Sequence, residues 1–380
     1  MTRRVLFYVQ HLLGIGHLAR ASLVARGLKA EGFDTTLVMG GMPVDGFPGD
    51  GIKTVQLPPL KAGVTKFNEL TGADGKIADQ AYLDRRRDEL LSVFRQTRPG
   101  IVIIEAFPFA RRQMRFELLP LLDAAKAADW RPLIAASVRD IIQKKTRPGR
   151  LEETVSTVQR YFDAVLVHGD PQFARFEETF EGARSIADLI HYTGIVAGTV
   201  PQLSGPAFDV VVSAGGGAAG ELIMRSALAA RPLTNLANAS WCILTGPNLP
   251  ASTAASLEAG QPKNVFFDVR RPDFRALLAH ARLSISQVGY NTCADILQAG
   301  CPALLVPFAQ GGEMEQTFRA CRLQQLDLAT SIAETAITPQ SLARAIDAAA
   351  RRNRLARPPL DLDGAGKTAK ILENLLSAAR

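Results

Sequence analysis

Apolar residues along this chain fall into short unbroken runs, and most runs are followed by a turn and then by residues with helical spacing. In the first half Val5–Val9, Thr35–Met39, Thr54–Leu57, Ile101–Glu105, Leu133–Val138 and Ala164–Val167 read as strands. In the second half Asp209–Ala214, Trp241–Gly246, Val265–Val269, Leu283–Gln287 and Ala303–Phe308 do. Short apolar runs without polar alternation fit strands buried on both faces, as in a parallel sheet covered by helices. Helices are expected over Ile77–Gln96, from Glu221, over Pro339–Arg352 and over Gly366–Ala379. Pro339 falls in a first turn, where its missing N–H is not needed. Strand, turn and helix recurring in both halves predict two doubly wound α/β domains.

The pattern breaks at Tyr192–Phe208, YTGIVAGTVPQLSGPAF, where Gly, Pro and Ser accumulate. This is the expected linker. It separates a domain over 1–200 from one over 207–355, with 356–380 left for a terminal helix. A chain of 380 residues can bury a core in each. The shares of apolar (47%) and charged (21%) residues are those of an ordinary globular protein. No apolar run approaches membrane-spanning length. The opening MTRRVLFYVQ leads into a strand rather than a signal peptide, so a cytoplasmic protein with at most peripheral membrane contact is expected. Cys242, Cys293, Cys301 and Cys321 lack zinc spacing and read as free thiols, and no metal or cofactor is expected. The net charge of +7 is spread through both halves without a basic tail. That disfavours a nucleic-acid partner, while a mild positive field suits an anionic ligand.

Candidate chemistry gathers where strands end and helices begin. After the first strand comes GxGHxxR, made of Gly14, Gly16, His17 and Arg20. Three buried strands end in charge: Glu105, then Arg139-Asp140, then His168-Gly169-Asp170. Each could instead be a paired structural charge. Gly215, Gly216 and Gly217 follow a strand and precede a helix, where backbone N–H groups can approach a diphosphate; a flexible turn is the alternative. Leu283–Ala320 places Gly289, Asn291, Thr292 and Asp295 after one strand and Glu315-Gln316 after the next. Asn291 or Thr292 can cap the helix, and Gly300 and Pro302 end it. Asp295 could be only a dipole partner and His17 only a cap. Arg85-Arg86-Arg87 reads as a solvated helix face, and Pro58–Lys76 as a long loop.

Ser286, Gly289, Thr292, Asp295, Gly300, Pro302 and Glu315-Gln316 stand in the order of a known donor-site motif. The stretch resembles the donor half of the GT-B glycosyltransferases, in particular the family 28 enzymes that add N-acetylglucosamine to the lipid-linked peptidoglycan precursor. GxGHxxR is similar to the first loop of GT-B transferases and to that of the nucleotide-sugar hydrolase of the pseudaminic acid pathway. EAFPFxR and SVRD look like motifs of an uncharacterised bacterial subgroup of predicted glycosyltransferases. The resemblance implies two Rossmann-like domains facing across a cleft, with donor bound by 207–355, acceptor by 1–200, and the terminal helix returning to the first domain.

By the same resemblance Asp295 would grip ribose hydroxyls and Glu315 and Gln316 the donor sugar. Arg270 would lie near the nucleobase, and Gly14, Gly16, Arg20 and Arg139 on the acceptor side. The chain departs in carrying Asp295 where family 28 has Glu, and Glu315 where it has Gln. The expected reaction moves a sugar from a nucleoside diphosphate, UDP foremost, to a hydroxyl of a lipid-linked or polysaccharide acceptor without a metal. His17 is the leading base, and Asp140 and Glu105 are the alternatives. Turnover should then fall with pH through the sixes. A nucleotide-sugar hydrolase using His17 on water and a non-catalytic sugar-nucleotide binder are the competing readings.

Overall fold

In the computed structural model, residues 2–63, 69–143, 148–214, 220–247, 249–356 and 358–378 are described. The chain divides into two compact units, residues 1–196 with 361–380, and residues 197–360.

The first unit is built on β1 (Arg4–Val9), β2 (Asp34–Met39), β3 (Lys53–Gln56), and a small hairpin of β4 (Lys61–Ala62) and β5 (Leu70–Thr71). β6 (Ile101–Glu105), β7 (Leu133–Arg139), β8 (Ala164–His168) and β9 (Ile190–Tyr192) follow. The main sheet has seven strands in the order β3-β2-β1-β6-β7-β8-β9, with every pairing parallel. Alternate residues of each strand feed two separate cores. Val5, Phe7 and Val9 join one cluster, and Leu6 and Tyr8 the other. The first cluster lies under α1 (Gly16–Ala30), through Leu18, Val24 and Leu28. The second lies under α2 (Gln80–Thr97), α3 (Arg115–Ala127) and α4 (Arg150–Tyr161), through Leu90, Phe94, Leu118 and Val158. Burial on both faces is why these strands read as continuous apolar runs.

One buried charge braces the sheet edge. Arg86, read from sequence as part of a solvated face, is 0% exposed. It holds Glu117 through Nε at 2.6 Å and Nη2 at 3.0 Å, and donates to the Gly40 carbonyl and Gln10 Oε1. The helix turns Arg85 and Arg87 outward and Arg86 inward, so adjacency in sequence puts the three on different faces.

The second unit repeats the plan. Its strands are β10 (Val210–Ser213), β11 (Trp241–Leu244), β12 (Val265–Asp268), β13 (Leu283–Ser286), β14 (Ala303–Leu305) and β15 (Thr330–Ser331). They form a parallel sheet ordered β12-β11-β10-β13-β14-β15. Helices α5 (Glu221–Ala230), α6 (Ala251–Glu258), α7 (Phe274–His280), α8 (Tyr290–Ala299) and α9 (Glu315–Gln325) link them, and α10 (Pro339–Ala350) follows the last strand. Ile223, Met224 and Ala227 of α5 and Leu342 and Ile346 of α10 share one core with Val210 and Val212. Thr338 and Ser341 form a capping box ahead of α10 with Pro339 just inside it. Gly300 ends α8 in the left-handed region at φ 62°, where its N–H meets the Ile296 and Leu297 carbonyls. The last helix, α11 (Gly364–Ala378), belongs to the first unit and packs on α1. A Cβ on Gly27 would stand 2.8 Å from Ala365, so glycine sets how closely the two helices approach.

Candidate functional site

In both sheets the strand order reverses next to the first strand, between β1 and β6 and between β10 and β13. Beyond the carboxyl ends of such neighbours the chain leaves in opposite directions and a crevice opens. In the first unit β1 delivers residues 10–15 to it and β6 delivers Glu105.

Helix α1 starts at Gly16 with Ile15 as its N-cap and no side-chain cap, so His17 does not cap it. His17 instead sets Nδ1 3.0 Å from Glu105 Oε1, and Arg20, one turn on, donates to the same oxygen. Ser137 of β7 donates to Glu105 Oε2. His168, ending β8, lies with Nε2 2.9 Å from Ser137 Oγ and Nδ1 2.9 Å from Thr193 Oγ1. Glu105 is wholly buried, which alone would raise its pKa, but Arg20 and then His17 hold it down to about 2. A carboxylate only accepts, so His17 Nδ1 must carry a proton and Ser137 must donate. The Ser137 oxygen then accepts from His168 Nε2–H. The Thr193 hydroxyl is shared between His168 Nδ1 and the Gly194 carbonyl, 2.8 Å away. The two bonds from His168 through Ser137 to Glu105 thus both point toward the carboxylate.

Burial and the Arg111 charge push the His17 pKa down to about 3, against the pull of Glu105. Burial and Arg20 do the same to His168, also to about 3. The His17 side chain keeps 16% exposure. With Nδ1–H committed to Glu105, its basic atom is Nε2. This is the arrangement in which a carboxylate fixes the tautomer and ring orientation of a histidine base. Glu105 has no exposed atom of its own, so its geometry is that of an orienting partner.

Arg139 ends β7, in register with His168. Asp140 is 2% exposed and accepts from its own chain at Ile141 N, 2.8 Å away. A Cβ on Gly169 would come within 2.6 Å of Asp140 Cβ, so this glycine lets β7 and β8 end side by side. Gly14 has nothing within 4 Å of where its Cβ would stand. An open cavity of about 250 Å³ lies beside the loop, lined by His11, Leu12, Leu13 and Ile15 with Met42 and Lys61 among its other walls. Sequence reasoning met Arg111 and Ser137 only as members of EAFPFxR and SVRD, without a role of their own, and did not single out Thr193. His168 was noted only as a strand end. A motif letter gives Ser137 no partner, and a threonine in a linker carries no signal, until the strands are laid in order.

In the second unit Gly289 is the N-cap of α8. Asn291 and Thr292, expected to cap it, sit inside its first turn, and the glycine that holds the N-cap position has no side chain to offer. Gly289 has φ −61°, so the turn does not require glycine, and a Cβ there would meet nothing within 4 Å. What the glycine preserves is open space in front of the helix. Asp295 sets Oδ1 3.1 Å from Arg275 Nη1. Burial raises its pKa to about 6, and Arg275 pulls the other way. Arg275 also donates to the Thr199 carbonyl at 2.9 Å.

Glu315 and Gln316 open α9, but their oxygens are already engaged. Glu315 pairs with the buried Arg319 at 3.0 Å. Gln316 Oε1 accepts from Val288 N at 3.0 Å and Phe308 N at 3.2 Å, bracketing the two loops. Arg270 is exposed, with its backbone N–H on Asp268 Oδ1. Gly215, Gly216 and Gly217 lie outside the described residues.

Residues 210–361 match the model of the glycosyltransferase family 28 C-terminal domain. Two curated relatives are UDP-N-acetylglucosamine--N-acetylmuramyl-(pentapeptide) pyrophosphoryl-undecaprenol N-acetylglucosamine transferases. The one from Thermotoga neapolitana is 31% identical over 75 residues, 20% of this chain and 22% of the relative. The one from Methylorubrum extorquens is 31% identical over 102 residues, 27% of each. The chain thus matches about a quarter of the length of these relatives. Among solved structures, the calicheamicin glycosyltransferase CalG4 aligns over 99% of both chains with TM-score 0.65 and 18% identity. Acinetobacter baumannii MurG aligns over 98% of this chain and 99% of its own, with TM-score 0.59 and 16% identity. The chain therefore has the fold of the GT-B glycosyltransferase superfamily, with its similarity to family 28 carried by the second unit.

Proposed function

We propose that the protein is a glycosyltransferase that moves a sugar from a nucleoside-diphosphate donor, UDP-linked foremost, to a hydroxyl acceptor. The observation that carries this reading is the neutral His17 tethered through Nδ1 to Glu105, in a chain whose second unit matches the glycosyltransferase family 28 C-terminal domain. The acceptor oxygen attacks the anomeric carbon, and its proton passes to His17 Nε2. The bond from that carbon to the diphosphate breaks, and the diphosphate leaves with the electron pair. The N-terminal end of α8, with Gly289 at its N-cap, turns the positive end of its dipole to this leaving charge. Asp295 supplies a carboxylate for the ribose once its hydroxyls compete with Arg275. Gln316 keeps its amide nitrogen for the sugar, while Glu315 acts through Arg319 on the loop carrying Val288.

The acceptor is proposed as a lipid-linked or polysaccharide hydroxyl; among the described residues no helix is long and apolar enough to cross a membrane. Purified protein incubated with UDP-sugars, with and without cell-extracted acceptors, tests the reading. Nucleotide release that depends on acceptor is expected. Release without acceptor would mean that His17 activates water, and no release in either case would mean a binding protein.

A further inference from the structure

Arg111 is a cation at the first crevice that the network around Glu105 does not use. Its Nε donates to the Gln10 carbonyl at 2.9 Å, and no other hydrogen bond or ion pair engages the guanidinium among the described residues. The turn that carries it is conformationally costly. Ala106 and Arg111, at the two ends of the turn after Glu105, both have positive φ, 67° and 61°. A left-handed non-glycine residue is strained and persists where its surroundings fix it.

The surroundings are electropositive. Burial first, then the charge of Arg139 and more weakly that of Arg20, lower the Arg111 pKa to about 10. The carboxylate it feels, Glu105, is already held by Arg20, His17 and Ser137. A half-buried guanidinium fork with no carboxylate of its own is suited to an incoming phosphate or carboxylate.

We infer that Arg111 is a binding residue for an anionic group, phosphate or carboxylate, that a substrate seats beside His17. The assignment of that group to a substrate rests on the glycosyl-transfer reading; the binding itself does not. The anion is carried either by the acceptor or by the donor as its diphosphate. Its arrival would offset the Arg111 charge and raise the basicity of His17 in part, while burial, the larger cause, continues to hold the imidazole neutral through the sixes.

Calorimetric titration of the full chain with sodium pyrophosphate, with UDP, and with pyrophosphate under saturating UDP tests this for wild type, Arg111→Gln and Arg111→Lys. Arg111→Gln should weaken pyrophosphate binding roughly ten- to a hundredfold, and Arg111→Lys less. An equal loss for UDP identifies the donor diphosphate. A loss seen only for pyrophosphate under saturating UDP identifies an anion on the acceptor. Unchanged affinities for both ligands in variants with a normal melt overturn the inference, whatever the turnover assays show. Should Arg111→Gln fail to fold, histidine NMR on wild type decides. Pyrophosphate must raise the titration midpoint of His17, and a midpoint that stays put overturns the proposal.

Discussion

A histidine with a pKa of about 3 is unprotonated throughout the working range but only weakly basic at rest. The sequence suggested an ordinary imidazole losing activity as pH falls through the sixes. Burial and the neighbouring guanidinium of Arg111 move that loss far lower, so this titration should not appear in the rate above about pH 5. What compensates for weak basicity is orientation. Glu105 is fixed by Arg20 and Ser137 before it fixes His17. Glu105→Gln should therefore lower turnover on the order of 10²–10⁴-fold with donor affinity nearly unchanged. It should also lose about 3–5 kcal/mol of stability, because it removes the buried carboxylate that pairs with Arg20. Steady-state kinetics at a temperature where the variant is folded separate the two. A stability loss with kcat intact would make Glu105 a structural charge only.

Among the elements, α8 shows how much of the site was legible and where legibility ended. Its bounds followed from apolar spacing and from Gly300 and Pro302, and the strands before and after it from unbroken apolar runs. The hairpin of β4 and β5 lay hidden in a segment that reads as loop, because two-residue strands leave no periodicity. The polar partners were not legible either. The pairing of His17 with Glu105 spans 88 residues and exists only because β1 and β6 are neighbours in the sheet. The oxygens of Glu315 and Gln316 are claimed by Arg319 and by two backbone N–H groups, which motif spacing does not reveal.

The open space at Gly289 gives α8 its own test. Gly289→Ala adopts an ordinary φ and meets no protein atom, so stability should change by no more than about 0.5 kcal/mol. UDP binding should weaken at least several-fold if the diphosphate sits against the start of this helix. Calorimetry showing unchanged affinity would move the diphosphate elsewhere.

For the whole chain, two neutral buried histidines set an acid limb of stability. His17 and His168 have folded pKa values of about 3 against an ordinary 6.5, so between these values the unfolded state binds more protons. Stability is full above pH 6.5 and falls as pH drops toward 3, by up to about 1.4 kcal/mol per pH unit for each histidine. Glu105, depressed to about 2, adds a loss in the same direction at lower pH. Denaturant midpoints at pH 7 and pH 5 should show the drop, and His168→Gln should shrink it. A midpoint that does not move would mean that these imidazoles are protonated in the folded protein.

The account as a whole stands on His17 Nε2 as the atom that takes the acceptor's proton. The direct measurement is acceptor-dependent nucleotide release under saturating UDP-sugar, followed from pH 8 to pH 5, for wild type, His17→Ala and Asp140→Asn. Wild type should keep its turnover through the sixes. His17→Ala should fall about 10²–10⁴-fold with donor affinity nearly unchanged, and Asp140→Asn should fall far less. A His17→Ala protein that retains most of its turnover, or an Asp140→Asn protein that loses it, would contradict the account.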